Sequence, residues 1–437
     1  MIRLVLAAAI AVIATLPATA EVEVQEVTTP GGLDAWLVEE HSIPIAAIEI
    51  RFRGGASLDA PGKRGAVNLM TALLEEGAGQ MDAQGFAEAR EEIAARISFD
   101  ARDDAVSVSL RFLSENREAS VALLKEALTS PRFDQDAVDR VRAQVISGIR
   151  SDATDPNAIA GNTLNALAWG DHPYATPHEG TEDSVSALTR DDLIAAHRAT
   201  LARDRVYVGA VGDITPVELS ALLDDLLGDL PETGAPLPPE AEFQLEPGVT
   251  VVPFDTPQAV AMFGHEGLAR DDDDFLTAYV VNEVIGGSGF RSRLTQEVRV
   301  KRGLTYGIGA YLVARDRGHM ILGQVATVND RMAETVGVVR DEWARAAAEG
   351  LTEKELADAK LFLTGAYPLR FDGNAPSARI MVGMQMDGLP ADYIANRNDL
   401  VEAITLEEAN RVASRIYRPE DMHIVIVGQP EGIDASN

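Results

Sequence analysis

The 437-residue chain has no cysteine, so no disulfide staples it and no thiol chemistry is open to it. It has only seven histidines: His41, His172, His178, His197, His265, His319 and His423. No two of them stand four residues apart, so neither ordering of the helical zinc motif, H-E-x-x-H or H-x-x-E-H, can be written anywhere. Basic residues are also scarce, 38 against 69 acidic ones, for a net charge of −31. Such a surface repels nucleic acid and anionic membrane, and it keeps a protein soluble. No phosphate loop of the G-x-x-x-x-G-K-[ST] type occurs, and Gly-Gly-Ser-Gly-Phe at 286–290 fails the G-x-S-x-G nucleophile pattern at its last position. The closest histidine pair, His172 and His178, sits among prolines, where a helical ligand pair cannot form.

What is present is a globular composition, 46% hydrophobic and 24% charged, long enough for two cores. Arg3, an apolar run over 4–16 and Pro17-Ala18-Thr19-Ala20 together read as a secretory signal peptide removed after Ala20. The run is too short to span a bilayer, which needs about 20 apolar residues. The mature chain is therefore expected in the periplasm or outside the cell, with no membrane insertion after the signal is removed.

The strongest internal signal is a duplication. Residues 188–213 align without gaps on 404–429, each copy opening with an N-cap threonine and acidic residues. A helix follows, then a β-branched strand that stops at Gly212 or Gly428. Two similar lobes follow from this, at 21–230 and 248–437, with the proline-dense stretch 231–247 as a stiff linker. In the first lobe, 46–54 alternates as a strand and 62–77 reads as a helix with Ala66, Leu69, Met70, Leu73 and Leu74 on one face. A hairpin is expected around Asp100–Asp104. The class is α+β, each lobe a mixed sheet with helices on one face.

This succession resembles the pitrilysin or insulinase family of zinc peptidases, which includes the mitochondrial processing peptidase and small heterodimeric bacterial members. The resemblance implies a clam-shell of two α/β-roll lobes. It also implies a helix carrying H-x-x-E-H, whose two histidines hold zinc and whose glutamate activates the bound water. At the matching positions this chain has Asn68, Thr71 and Ala72, and where a third ligand is expected it has Gly148. The zinc motif is degenerate, and no metal is expected in this chain.

The second lobe keeps more of the pattern. Residues 286–306 are similar to the segment that in active members ends in an arginine and a tyrosine seven residues apart, here Arg299 and Tyr306. The resemblance implies that these hold the substrate and stabilise developing charge. Gly303 is expected to end the helix bearing Arg299, with Tyr306 beginning a strand over 306–313. Gly286, Gly287 and Gly289 read either as a loop that admits substrate or as an ordinary tight turn. Asp271–Asp274 reads as a solvated helix start, ahead of a helix over 275–285.

Two readings remain. In the first, the chain is the subunit without zinc in an exported metallopeptidase heterodimer, lending Arg299 and Tyr306 to a zinc-bearing homologue that hydrolyses peptides. In the second, it is an inert scaffold or peptide-binding protein of the same fold. No constellation supports an unrelated hydrolase.

Overall fold

In the computed structural model, residues 23–287 and 289–433 are described. The expected signal segment, 1–20, lies outside them. No helix among the described residues is long and apolar enough to cross a membrane.

The strands fall mainly into two sheets. The six-stranded sheet runs in the order Gln25–Thr28, Asp34–Glu39, Val206–Gly212, Ile45–Arg53, Ala105–Leu113, Arg96–Ala101. The five-stranded sheet, read from the matching edge, runs Gly248–Pro253, His423–Gly428, Gln258–Glu266, Gly318–Val328, Ile308–Arg315. Without the extra edge strand of the first, the two topologies coincide. In each, the last strand of the half inserts between its first two, parallel to one and antiparallel to the other.

The inserting strands belong to the repeat seen in the sequence. Helices Arg190–Thr200 and Leu406–Ile416 precede them, and each is opened by a reciprocal cap. Thr189 accepts from the Asp192 amide while the Asp192 side chain accepts from the Thr189 amide, and Thr405 and Glu408 do the same.

Some boundaries differ from expectation. The helix expected over 62–77 is only Ala66–Ala72, because the Asp59 carboxylate takes the Gly65 and Val67 amides, each at 2.8 Å, and fixes its first turn there. The five apolar residues expected on one face, Ala66, Leu69, Met70, Leu73 and Leu74, are all buried, as the spacing requires. The acidic run before helix Phe275–Gly286 is not merely solvated. Asp274 pairs with Arg411 and Arg415, each at 2.5 Å, and Asp272 pairs with Arg415 at 2.7 Å. Bonding to Arg411 above all holds the Asp274 carboxyl down to about 2.

The sheets have the expected class, and their second faces are covered as well. Each sheet carries its own half's helices on one face, but the opposite face is covered by a helix from the other half. Helix Pro156–Trp169 lies on strands Gln258–Glu266 and His423–Gly428. There Ala160, Leu164 and Trp169 bury against Val260, Val425 and Val427. Helix Asn374–Met386 reciprocates on strands Ile45–Arg53 and Val206–Gly212, setting Ala378, Met381 and Met384 against Trp36 and Val211. A Cβ at Gly209 would lie 2.7 Å from the Ala378 carbonyl oxygen, so this contact needs glycine in the strand. The stretch 231–247 has neither helix nor strand, yet it is held along its length. Ala235 donates to the Ala199 carbonyl, Ala241 to that of Arg317 and Gln244 to that of Ala168.

The halves also meet at two hairpin turns. Asp104, between strands Arg96–Ala101 and Ala105–Leu113, accepts from the Tyr174 hydroxyl and from the Asp316 amide. The Tyr174 oxygen in turn accepts from the Arg317 amide at 3.0 Å. Arg53 pairs with Asp316 at 3.0 Å and Arg315 reaches Asp103 at 3.6 Å. Burial pushes Asp316 up to about 6; Arg53 opposes the shift and Asp104 adds to it.

Two predictions follow from these contacts. Trp169 is 1% exposed and meets Tyr174 and Phe243 edge to face, so Trp169→Ala should cost about 3–5 kcal/mol. Because its ring belongs to one half and packs on the other, hydrogen exchange should quicken in both sheets. Exchange that quickens in one sheet alone would contradict the interlocked arrangement. For Asp316 the folded pKa exceeds the unfolded one, so its contribution is full below about 4 and fades as pH rises through about 6. Melting temperatures across that window should fall less steeply with rising pH in Asp316→Asn than in the wild type.

Candidate functional site

Helix Ala66–Ala72 packs beside the edge strand Arg96–Ala101, and helix Gln135–Asp152 packs against it. The four positions that the resemblance sets against a zinc motif sit on these two helices. Asn68 is half-buried, Thr71 is buried with no hydrogen-bond partner for its hydroxyl, and Ala72 is exposed. Gly148 is exposed, and a Cβ there would meet nothing within 4 Å. At the expected ligand positions a carboxamide, a methyl and a hydrogen cannot replace two imidazoles and a carboxylate around a divalent ion, and Thr71 has only a hydroxyl where the water-activating carboxylate is expected. Among the described residues no group of three or more His, Asp or Glu side chains converges as a metal site. The residues present do not fit zinc. His172 and His178 are otherwise engaged: His172 bonds the Pro239 carbonyl and the Tyr174 amide, and His178 lies 3.1 Å from Glu179.

Arg299 lies in a stretch wound as a π-helix, Thr295–Val300. Such wide turns occur mostly as short insertions and are frequent at functional sites. Gly303, at φ +62°, ends it, and its amide donates to the Arg299 carbonyl at 3.0 Å. Within this turn the cations are treated unequally. Glu297 takes Lys301 at 2.5 Å and Arg302 at 2.7 Å, which leaves Arg299 with no carboxylate among the described residues. Its guanidinium rests instead 4.7 Å above the ring of Phe290, itself 63% exposed.

Tyr306 is 87% exposed. It does not begin the strand, as the sequence suggested; the ladder starts at Ile308, opposite Val325. The cause is Thr305, whose hydroxyl accepts from the Gly307 amide and donates to the Ala326 carbonyl, folding 304–307 into a turn. Arg299 and Tyr306 are not joined by any hydrogen bond or ring contact. They are a cation and a phenol offered outward from one short segment. The supporting ring of Phe290 was missed in the sequence, where nothing in the spacing of a single aromatic marks it.

The three glycines have different surroundings. Gly286 closes its helix against the strand Ile308–Arg315, where a Cβ would lie 2.5 Å from that of Ala310. At Gly287 a Cβ would strike the Glu283 carbonyl oxygen at 2.5 Å, and at Gly289 the nearest atom is 3.8 Å away. Packing thus explains the first two without recourse to substrate.

A cavity of about 740 Å³ lies elsewhere, between helix Phe275–Gly286, strand Ile308–Arg315 and helix Asn374–Met386. Arg299 and Tyr306 do not line it. Two of its cations are spent within the fold: Arg270 pairs with Asp387 at 2.8 Å, and Arg397 donates to the Leu363 carbonyl over the ring of Tyr367.

Comparison with known proteins accounts for this pattern. Residues 36–182 match the family described as Insulinase (Peptidase family M16), and residues 187–363 match the Peptidase M16 inactive domain. A Helicobacter pylori protein named Non-peptidase homolog YmxG is 28% identical over 390 residues, 89% of this chain and 90% of that protein. The mitochondrial-processing peptidase subunit beta of Blastocladiella emersonii is 23% identical over 416 residues, 92% and 88% of the two chains. A crystal structure of a peptidase M16 inactive domain from Pseudomonas fluorescens superposes with a TM-score of 0.88 at 28% identity, covering 95% of this chain and 99% of that one. Both halves being matched, one after the other, the chain belongs to the insulinase (M16) family of peptidases.

Proposed function

We propose that this chain is the subunit without zinc in an exported M16 peptidase, and that it completes the peptide-hydrolysing site of a zinc-bearing homologue with Arg299 and Tyr306. The observation that carries this reading is the contrast between the halves. The first has Asn68, Ala72 and Gly148 where the resemblance expects ligands, and Thr71 where it expects the water-activating glutamate. The second presents a guanidinium with no carboxylate partner among the described residues and an almost fully exposed phenol. Neither is needed to hold the fold: an exposed phenol buries little, and a cation over an exposed ring contributes only about 0.5–1 kcal/mol.

The partner supplies the metal and the water it activates. This chain's part is to bind and orient. Tyr306 donates a hydrogen bond to the carbonyl under attack, and Arg299, held by Phe290, offers its fork to a neighbouring substrate carbonyl or to charge developing on oxygen. Groups of this kind act most strongly where water is excluded, which a subunit closing over them achieves. The relative named Non-peptidase homolog fits a chain that hydrolyses nothing alone, and the mitochondrial-processing peptidase subunit fits assembly with a second chain.

The test is reconstitution. The purified chain should bind no stoichiometric zinc and should not cleave a quenched unstructured peptide. Mixed with the zinc-motif homologue of the same organism, it should raise that subunit's activity. Arg299→Ala or Tyr306→Phe should lower the activity of the mixture about 10²–10³-fold while the complex still forms on a sizing column. A mixture no more active than the zinc subunit alone would instead favour the inert scaffold, and zinc retained by the lone chain would overturn the assignment.

A further inference from the structure

A departure from the molecule's negative charge lies on the first half, in a recess that Arg299 does not line. Arg96 stands directly across the ladder from Arg111, and both side chains are exposed. Like charges placed directly opposite each other destabilise a sheet. The chain has 69 acidic residues to draw on, yet neither arginine has an ion pair or a side-chain hydrogen bond among the described residues. Both line a recess of about 450 Å³ between the six-stranded sheet and helix Asn374–Met386, and Arg379 of that helix lines it too. Arg379 is exposed, and its closest carboxylate is Glu49 at 4.0 Å. Glu49 is itself buried, takes the Ser109 hydroxyl and faces Arg51 at 3.9 Å, so it neutralises Arg379 poorly. Arg90, also in the lining, is taken by Glu75, and Asp100, farther along the strand, by Arg102.

The recess opens beside a free sheet edge. Strand Arg96–Ala101 is the last of its sheet and has a ladder partner on one side only. An extended peptide that adds there gains backbone hydrogen bonds, and its alternate side chains fall on the face that carries Arg96. Arginine rather than lysine at all three positions suits a carboxylate, whose two oxygens match the planar fork.

We propose that Arg96, Arg111 and Arg379 form a carboxylate-binding site that selects peptides with acidic residues at alternate positions along this edge. The ligand class rests on the peptide-handling reading above. The charge preference rests on the arginines alone.

The test uses the lone chain and fluorescence anisotropy, so it needs no partner and no catalysis. Three labelled unstructured peptides differ only at two alternate positions, occupied by Glu, Gln or Lys. The Glu peptide should bind about tenfold more tightly than the Gln peptide at low salt, the Lys peptide more weakly still, and added salt should narrow the gap. Arg96→Ser combined with Arg111→Ser removes a repulsion and should leave the fold intact. It should bring the Glu peptide to the affinity of the Gln peptide and leave the Gln peptide unchanged, and Arg379→Ser should reduce the same gap. Binding with no preference for Glu would overturn the arginine site and spare the peptide reading. Failure of all three peptides to bind would overturn both. Binding of inorganic phosphate with the peptides ignored would replace the proposal with a small-anion site.

Discussion

A sheet has two faces, and in this chain neither half can cover both of its own. Helix Pro156–Trp169 and helix Asn374–Met386 each lie on the other half's strands. The residues they cover, Val260, Val425 and Val427 on one side and Trp36 and Val211 on the other, are buried only because of that exchange. Apolar area removed from water is the main favourable term in folding, so the stability of each half is coupled to the presence of the other. The features of the candidate site inherit their positions from this lock. The recess of Arg96 and Arg111 is walled by the second half's helix, and the hairpin turns meet through Asp104, Tyr174 and Asp316.

The repeat was legible because it is written in local chemistry. A threonine cap, acidic residues in the first turn, a helix and a β-branched strand stopping at glycine each have a physical signature within a few residues. That is why 188–213 and 404–429 could be matched, and why the two sheets share an order. The helix exchange was not legible. Nothing in the sequence of 156–169 says whose sheet it will cover, since an apolar face states only that it must be buried. The short first-turn cap from Asp59 was missed for a similar reason: its carboxylate reaches Gly65 and Val67 across a turn of chain.

At the candidate site the sequence was informative about loss and less so about geometry. Seven histidines, no two of them four apart, suffice to rule out the family's helical ligand pair, because coordination chemistry depends on the atoms present. The arrangement around Arg299 depends on pairings that only the fold reveals: Glu297 serving Lys301 and Arg302, Phe290 beneath the guanidinium, Thr305 turning Tyr306 out of the strand. Arg96 and Arg111 went unnoticed because they are far apart in sequence and become neighbours only across a ladder.

The exchanged helices also say something about ancestry. Take one half alone, before duplication, and its sheet would have a bare apolar face while its fourth long helix had nothing to cover. Two identical copies would resolve both defects at once, each lending that helix to its twin across a two-fold axis, as domain-swapped dimers do. The present chain has the form of that dimer with its two members joined through stretch 231–247. Joining frees two such halves from having to stay alike, so that each can specialise.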